Sequence, residues 1–439
     1  GAGHVFRRRT TSELFATAAL LQLCSSRLLV GAACKVLLRA AEGRSPVLAP
    51  LLWAARRTVF RHFAAGERMH ECACTAERLA GRAGAKSIVD WSSEEACGPE
   101  ELDQNLASKI GLIESLKERM PDTASFVAVK LTALVEPALL EAVTQEIHEV
   151  AAALNLRIVD AGDRPPAVVT LEQLGGLSAA DRAAVSEAVD RLATLASSAR
   201  TAGIRLLLDA EQTDRQPAIN LICRLLQQRC NTADAGAPVV YNTFQMYLSD
   251  APLYGTTSLA AELAYAREAG FTMAAKVVRG AYIASETAAG RRGYIQATKS
   301  DTDAAYDAAV ASLLEAIAAD EASCAIVVAT HNEPSVRRAV AKMAEVGLPP
   351  AHTHVHFAQI LGMADHLTYA LGLGTQEGEA THNSNKLLVY GDFGEVLPWM
   401  LRRLQENQDV LGAAARERAL LWREVGRRLR LSGGKAGIA

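Results

Sequence analysis

Apolar positions recur at three- and four-residue spacing through most of residues 1–120, in ELFATAALLQLC, SPVLAPLLWAARRTVFRHF, TAERLAGRA and ELDQNLASKIGLIESLKERM. That spacing predicts amphipathic helices. Further on, short apolar runs alternate with single helical stretches such as INLICRLLQQRC, TTSLAAELAYAREA, DTDAAYDAAVASLLEAIAA and PSVRRAVAKMAEV. Counting a weaker one upstream, the runs are SIVDW (87–91), SFVAVKLT (125–132), RLLLDAE (205–211), VVYNTFQ (239–245), MAAKVVRG (273–280), AIVVATHN (325–332), HTHVHFAQ (352–359) and KLLVYG (386–391). Strand–helix alternation predicts parallel strands covered by helices. Eight such units favour a closed α/β barrel of the (β/α)8, TIM type over a doubly wound sheet. The expected organisation is an N-terminal helical region at 1–80, a barrel at 81–410 and a C-terminal helix and tail at 411–439. The segment 133–204 is about twice the usual connection and is expected to be an insertion on the rim.

Polar residues follow the apolar interiors of nearly every run: Lys130; Asp209 and Glu211; Asn242 and Gln245; Lys276 and Arg279; His331 and Asn332; Gln359; Tyr390. A barrel gathers those strand ends onto one mouth, where its chemistry is placed. Asp209 and Glu211 are two apart, so as strand residues they would share a face. Metal ligation, acid/base work and holding arginines all compete as their use. Lys130 suits a Schiff base with a carbonyl substrate, a charge aimed at a carboxylate or phosphate, or a solvated tip. Lys276 and Arg279 lead into Gly280-Ala281-Tyr282. Cations followed by a small residue suit a phosphate or the electron-rich edge of a flavin approaching the backbone; solvated rim charges are the alternative. No G-x-G-x-x-G follows a strand. His352, His354 and His356 alternate along one strand, which puts all three on one face, packed against a covering helix.

The helix predicted at VLPWMLRRLQEN (396–407) carries Arg402 and Arg403, with Glu406 four and three residues on. That carboxylate is in reach of either guanidinium. The helix follows the last strand, so its first turns lie close to the mouth. The two arginines are either a solvated cluster or the counter-charge of the cavity.

Composition narrows the classes. Of 439 residues half are apolar, and the net charge is −3 with no long run of one sign, which argues against a nucleic-acid partner. The eight cysteines are scattered, as free thiols of a reducing compartment would be. Cys72 and Cys74 lack a second pair at zinc spacing, and no third carboxylate stands where a metal site on Asp209 and Glu211 would need one; no metal is expected. Leu14–Ala41 is strongly apolar but interrupted by Arg27, Lys35 and Arg39. Its uncharged run, Leu14–Ser26, is too short to span a bilayer, leaving a docked helix or one resting on a membrane face. The chain opens on GAGH without Met; the expectation is a trimmed start from which any targeting segment is missing.

VAVKLTAL, LLLDAEQTD, VVYNTFQMYL, AAKVVRGAY, ATHN, FAQILGMAD and YGDFGEVLPWMLRRLQEN occur in this order between about residues 80 and 410. Together they resemble the catalytic domain of the proline dehydrogenase family, in layout its monofunctional eukaryotic, mitochondrial members. The resemblance implies a distorted (β/α)8 barrel holding non-covalent FAD. It implies oxidation of L-proline to 1-pyrroline-5-carboxylate by hydride transfer to flavin N5, with electrons passed to a membrane quinone. Under it Arg402 and Arg403 grip the substrate carboxylate with Lys130 adding charge, while Asp209, Tyr282 and Glu406 hold the arginine pair. Lys276 stands near N5, and Gln245, Arg279, Gly280, His331, Asn332 and Gln359 hold the rest of the cofactor. It also implies a mitochondrial location, on the matrix side of the inner membrane, with peripheral membrane association.

Two positions depart from the family pattern. Leu387 stands where proline-preferring relatives usually carry tyrosine and hydroxyproline-preferring ones serine, and Trp399 replaces another tyrosine. Leucine offers apolar contact but no partner for an extra hydroxyl. The leucine argues against a dedicated hydroxyproline enzyme, but the two departures together leave ring specificity open, so oxidation of hydroxyproline or a related cyclic amino acid is the alternative, as is, on the residues alone, a Schiff-base aldolase using Lys130.

Overall fold

A computed structural model describes residues 5–43, 49–91, 98–154, 156, 167–232, 234, 236–249, 253–374, 381–409 and 411–433, the side chains at 27–29, 38, 40–43, 402–409, 411–414 and 431–433 excepted. Every predicted run contains a strand: β1 Lys86–Trp91, β2 Ala124–Val129, β3 Arg205–Leu208, β4 Val240–Gln245, β5 Met273–Val278, β6 Cys324–Ala329, β7 Val355–Ile360 and β8 Ser384–Tyr390. They close into a barrel in the order β1 to β8. Pairing is parallel, with Ile88 opposite Leu387, Thr243 opposite Lys276 and Lys276 opposite Val327. β2 and β4 are buried along their whole length, as strands covered by helices on one face and filled by side chains on the other must be. The chain forms two compact units, one of Gly1–Ser92, His331–Glu333 and Phe357–Ala439, the other of Ser93–Thr330 and Pro334–His356.

In the first unit the apolar Leu14–Ala41 stretch becomes two helices, α1 (Thr11–Leu23) and α2 (Arg27–Gly43). Thr10 and Glu13 start α1 as a reciprocal capping box: the Thr10 Oγ1 accepts from the Glu13 N–H at 3.3 Å and Glu13 Oε2 from the Thr10 N–H at 2.9 Å. α3 (Phe393–Asp409) carries the predicted VLPWMLRRLQEN, with Pro398 inside it, and α4 (Leu411–Gly433) follows. Leu14, Ala18 and Leu21 of α1 pack on Leu421 and Val425 of α4. Val30, Cys34 and Leu37 of α2 pack with Leu397, Met400 and Leu401 of α3. Both apolar faces are thus docked on protein, and among the described residues no helix is long and apolar enough to cross a membrane.

In the second unit, residues 133–204 supply two helices, Pro137–Ala153 and Ala179–Thr201, both packed on the helix Gln216–Cys230. The alternating histidines need correction. β7 begins only at Val355, because a turn closed by the Val355 N–H on the His352 carbonyl, at 3.0 Å, precedes it. His352 and His354 lie in that turn, and His354 Nδ1 meets the Glu321 carbonyl at 2.9 Å. His356 alone is on the strand, edge-on to Phe126 with ring centroids 5.1 Å apart, and Phe126 meets Tyr241 in the same way at 5.3 Å. These rings come from non-adjacent strands and so meet inside the barrel, where His356 packs instead of against a covering helix.

Among the described residues, Cys24, Cys34, Cys72, Cys223 and Cys324 are buried free thiols, Cys230 is half-buried and Cys74 is exposed.

Candidate active site

In the second unit, β3 stops at Leu208 and the Asp209 N–H donates to the Val129 carbonyl at 2.9 Å, which sets Asp209 beside the end of β2. Lys276 of β5 reaches it: Nζ donates to Asp209 Oδ1 at 2.5 Å, both groups partly buried. The Tyr282 hydroxyl donates to the neighbouring Ala210 carbonyl at 3.3 Å. Three predicted residues, Asp209, Lys276 and Tyr282, are therefore brought together.

Glu211 takes another course. The strand has ended before it, so the two-residue alternation no longer holds, and its carboxylate accepts from Thr132 Oγ1 at 2.8 Å and meets Arg215 at 3.4 Å. Its carbonyl accepts from Gln245 Nε2 at 2.8 Å. The expectation that Asp209 and Glu211 enter one site is corrected by this parting. Lys130 follows the last residue of β2 and is exposed.

Arg279 is held on every side. Nε donates to Asp303 at 2.7 Å, Nη1 to Thr330 Oγ1 at 2.7 Å and Nη2 to Ser335 Oγ at 2.8 Å, and the guanidinium lies 4.3 Å from the centre of the Tyr306 ring. Burial opposes ionisation of Asp303, but Lys299 and Arg279 outweigh it and hold the carboxyl below its ordinary range. Gly280 has φ +123°, and a Cβ there would stand 2.0 Å from Cδ1 of Tyr247. The flat group that closes on this backbone is the protein's own tyrosine ring.

In the first unit, the Ile360 N–H at the end of β7 donates to His331 Nε2 at 3.0 Å, so that nitrogen is unprotonated and the neutral ring carries its proton on Nδ1. Asn332 beside it is half-buried. Gln359 is buried; Thr368 Oγ1 donates to its Oε1 at 2.8 Å, while its Nε2 is buried without a hydrogen-bond partner. Leu387 and Trp399 are partly buried against the core that contains Met363, Val389 and Met400. Arg402, Arg403 and Glu406 lie on α3, their side chains outside the described residues.

Lys386, beside Leu387, was not singled out in the sequence. It is wholly buried, forms an ion pair with Asp365 at 2.9 Å and donates to the carbonyls of Ile360 and Met363 at 3.0 and 2.6 Å. Burial opposes the charge of Asp365, yet Lys386 and then Arg9, 3.7 Å away, outweigh it and hold the carboxyl at about 2. The signal for this pair was a lysine in an otherwise apolar strand, SNKLLVY. Among the described residues no group of three or more His, Cys, Asp or Glu is arranged to hold a metal ion.

A closed parallel barrel with an ion pair between a strand and the residue that follows another is a layout found in (β/α)8-barrel enzymes. The chain belongs to the proline dehydrogenase family, whose model matches residues 72–416, from before β1 to beyond β8. It is 42% identical to mitochondrial proline dehydrogenase 1 of Bos taurus over 241 residues, which are 55% of this chain and 38% of that one. It is 33% identical to the hydroxyproline dehydrogenase of Homo sapiens over 450 aligned positions, 97% of this chain and 93% of that one. Among solved structures, proline utilization A of Bdellovibrio bacteriovorus, inactivated by N-propargylglycine, matches with a TM-score of 0.62 at 17% identity, over 90% of this chain and 37% of that one. That likeness supports the barrel fold. The chain thus spans well under half the length of the bovine proline dehydrogenase and of this structural neighbour.

Proposed function

We propose that this chain is an FAD-dependent dehydrogenase that oxidises L-proline to 1-pyrroline-5-carboxylate and passes the electrons to a membrane quinone. The observation that carries the reading is the family match, which spans all eight strands. Two observations support the cofactor: in the first unit a buried Gln359 Nε2 lacks an acceptor, and in the second Lys276 and Arg279, engaged with Asp209 and Asp303, are cations of the kind that electron-rich ring edges and phosphates attract. Gln245, Lys276, Arg279, His331, Asn332 and Gln359 would hold it; Gly280, against which the Tyr247 ring already packs, would not. Bound FAD supplies the acceptor of the hydride.

The chain's own residues bind and orient the substrate. Arg402, Arg403 and Lys130 bind its carboxylate; Asp209, Tyr282 and Glu406 hold that cationic set in place; Leu387 and Trp399 give the ring an apolar wall. Cations around the carboxylate favour a neutral substrate nitrogen, whose lone pair hydride loss requires. Each charge-assisted bond contributes about 1.5–3 kcal/mol. Arg402→Met or Arg403→Met should therefore raise KM roughly 10- to 100-fold, with kcat falling as the ring tilts; unchanged constants in both variants would remove the arginines from this role.

The deciding experiment is an anaerobic absorption spectrum before and after L-proline, without an acceptor. A flavin spectrum that bleaches is expected; a colourless protein, or a flavin that L-proline and trans-4-hydroxy-L-proline both leave oxidised, refutes the reading. Hydroxyproline is the second reading, favoured by the near full-length match to hydroxyproline dehydrogenase, and bleaching by that substrate alone would select it. The aldolase reading is weakened by the exposure of Lys130, since an amine activated for Schiff-base chemistry is usually desolvated. The proposed location is mitochondrial, which accords with the names of the proline dehydrogenase relatives, and on the matrix side of the inner membrane.

A further inference from the structure

Gln359 is 2% exposed and stands one residue before the end of β7. A glutamine amide has an acceptor end and a donor end of nearly the same shape, so its surroundings must decide which end points where. Here the decision falls to Thr368, which is wholly buried on the helix α5 (Asp365–Leu373) and donates through Oγ1 to Gln359 Oε1 at 2.8 Å. With the amide reversed, Nε2 would donate to Oγ1 and the threonine proton would lose this acceptor inside the protein. In the arrangement seen, Oε1 accepts from Thr368, and Nε2, buried and without a protein partner, is left as a donor with no acceptor.

Thr368 is itself held by a distant element. Ala364, just before α5, has φ +51°, a left-handed conformation rare for a residue with a Cβ. Glu417 of α4, 4% exposed, takes both N–H groups at this bend, Oε2 from Ala364 at 3.0 Å and Oε1 from Asp365 at 2.8 Å. Thr368 lies one turn further along, and its carbonyl accepts from Ser384 Oγ at 3.2 Å.

We infer that Thr368 is a positioning residue: with Glu417 fixing the start of its helix, it sets the Gln359 amide so that a hydrogen-bond donor, never an acceptor, faces the bound cofactor. The group opposite must therefore be an acceptor, such as a ring carbonyl, an unprotonated ring nitrogen or a phosphate oxygen. This rests on the FAD reading above.

The test is the FAD dissociation constant of the full chain by flavin fluorescence, with far-UV CD melting to verify folding. Thr368→Val keeps the shape and removes the hydroxyl, and should weaken FAD about tenfold. Thr368→Ser should restore wild-type affinity, which a packing role would not do. Gln359→Glu, which presents acceptors only, should weaken FAD by about 100-fold or more, while melting stays cooperative. Should wild type bind FAD and Thr368→Val bind it equally well, or Thr368→Ser be as weak as the valine variant, the inference fails and the functional reading stands. A wild-type chain with no affinity for FAD overturns both.

Discussion

Asp365 and Lys386 show how costly a buried charge becomes once its partner is gone. Lys386 has two carbonyls and one carboxylate as neighbours and no access to water. Asp365→Asn should destabilise the fold by about 3–5 kcal/mol, because it strands the lysine, and adding Lys386→Met should recover part of that loss; chemical denaturation of both variants measures it. The pH dependence has a definite sign. The folded-state pKa of Asp365 is depressed from 3.8 to about 2, so its stabilisation is complete above the ordinary value and is lost as pH falls from about 4 to about 2. Wild type should lose about 2 kcal/mol across that window that Asp365→Asn does not lose. Residue-level reading of the sequence singled out Asp209, Lys276 and Tyr282, which folding brings near one another: Asp209 follows the end of β3, Lys276 lies in β5 and Tyr282 follows it. It failed for Glu211 and for two of the three histidines, where a strand began or ended a few residues away from the end of its apolar run. The roles of Tyr247 and Thr368 were not legible at all: their partners Gly280 and Gln359 are brought to them by folding and no local pattern marks them.

Elements were more legible than residues, because a strand buried on both faces writes itself as an unbroken apolar run. All eight strands were found that way, and the helices between them by their spacing. What spacing could not say was where each apolar helix face goes. α1 has a nearly even apolar surface, and its partner α4 is about 400 residues away in the chain, joined to it through Leu421 and Val425 and by Arg428 donating to the carbonyls of Phe6 and Arg9 at 2.8 and 2.6 Å. Leu421→Ala should cost about 2–5 kcal/mol, read from a denaturation midpoint. A loss under 1 kcal/mol would mean that α4 adds little to the stability of the first unit.

For the whole molecule, the strand–helix alternation sufficed to select a closed barrel. The membrane proposal belongs to this scale too. Leu23, Val36, Leu51 and Trp53 of the first unit are exposed, Arg57 lies 4.8 Å over the Trp53 ring, and Lys35 and Arg39 on α2 are exposed as well, while Arg56 is paired with Glu67. Apolar side chains mixed with cations suit an anionic lipid surface. The full chain should therefore sediment with phosphatidylserine-containing vesicles, less so in high salt, and Trp53→Glu should reduce the bound fraction severalfold; sedimentation unaffected by both would exclude these residues from the contact.

The distribution of thiols has a practical outcome. Burial pushes the Cys24 thiol up to about 11 and those of Cys72 and Cys324 to about 12, and raises Cys34, Cys223 and Cys230 as well, so at neutral pH all of these are poor nucleophiles. Cys74 is the exposed exception among the described residues, on the helix Met69–Ala83 just ahead of β1. Among the seven described cysteines, a maleimide dye or spin label applied briefly at pH 7 should settle on Cys74 first, so a Cys97→Ser chain would carry a reporter on the native fold without any engineered cysteine.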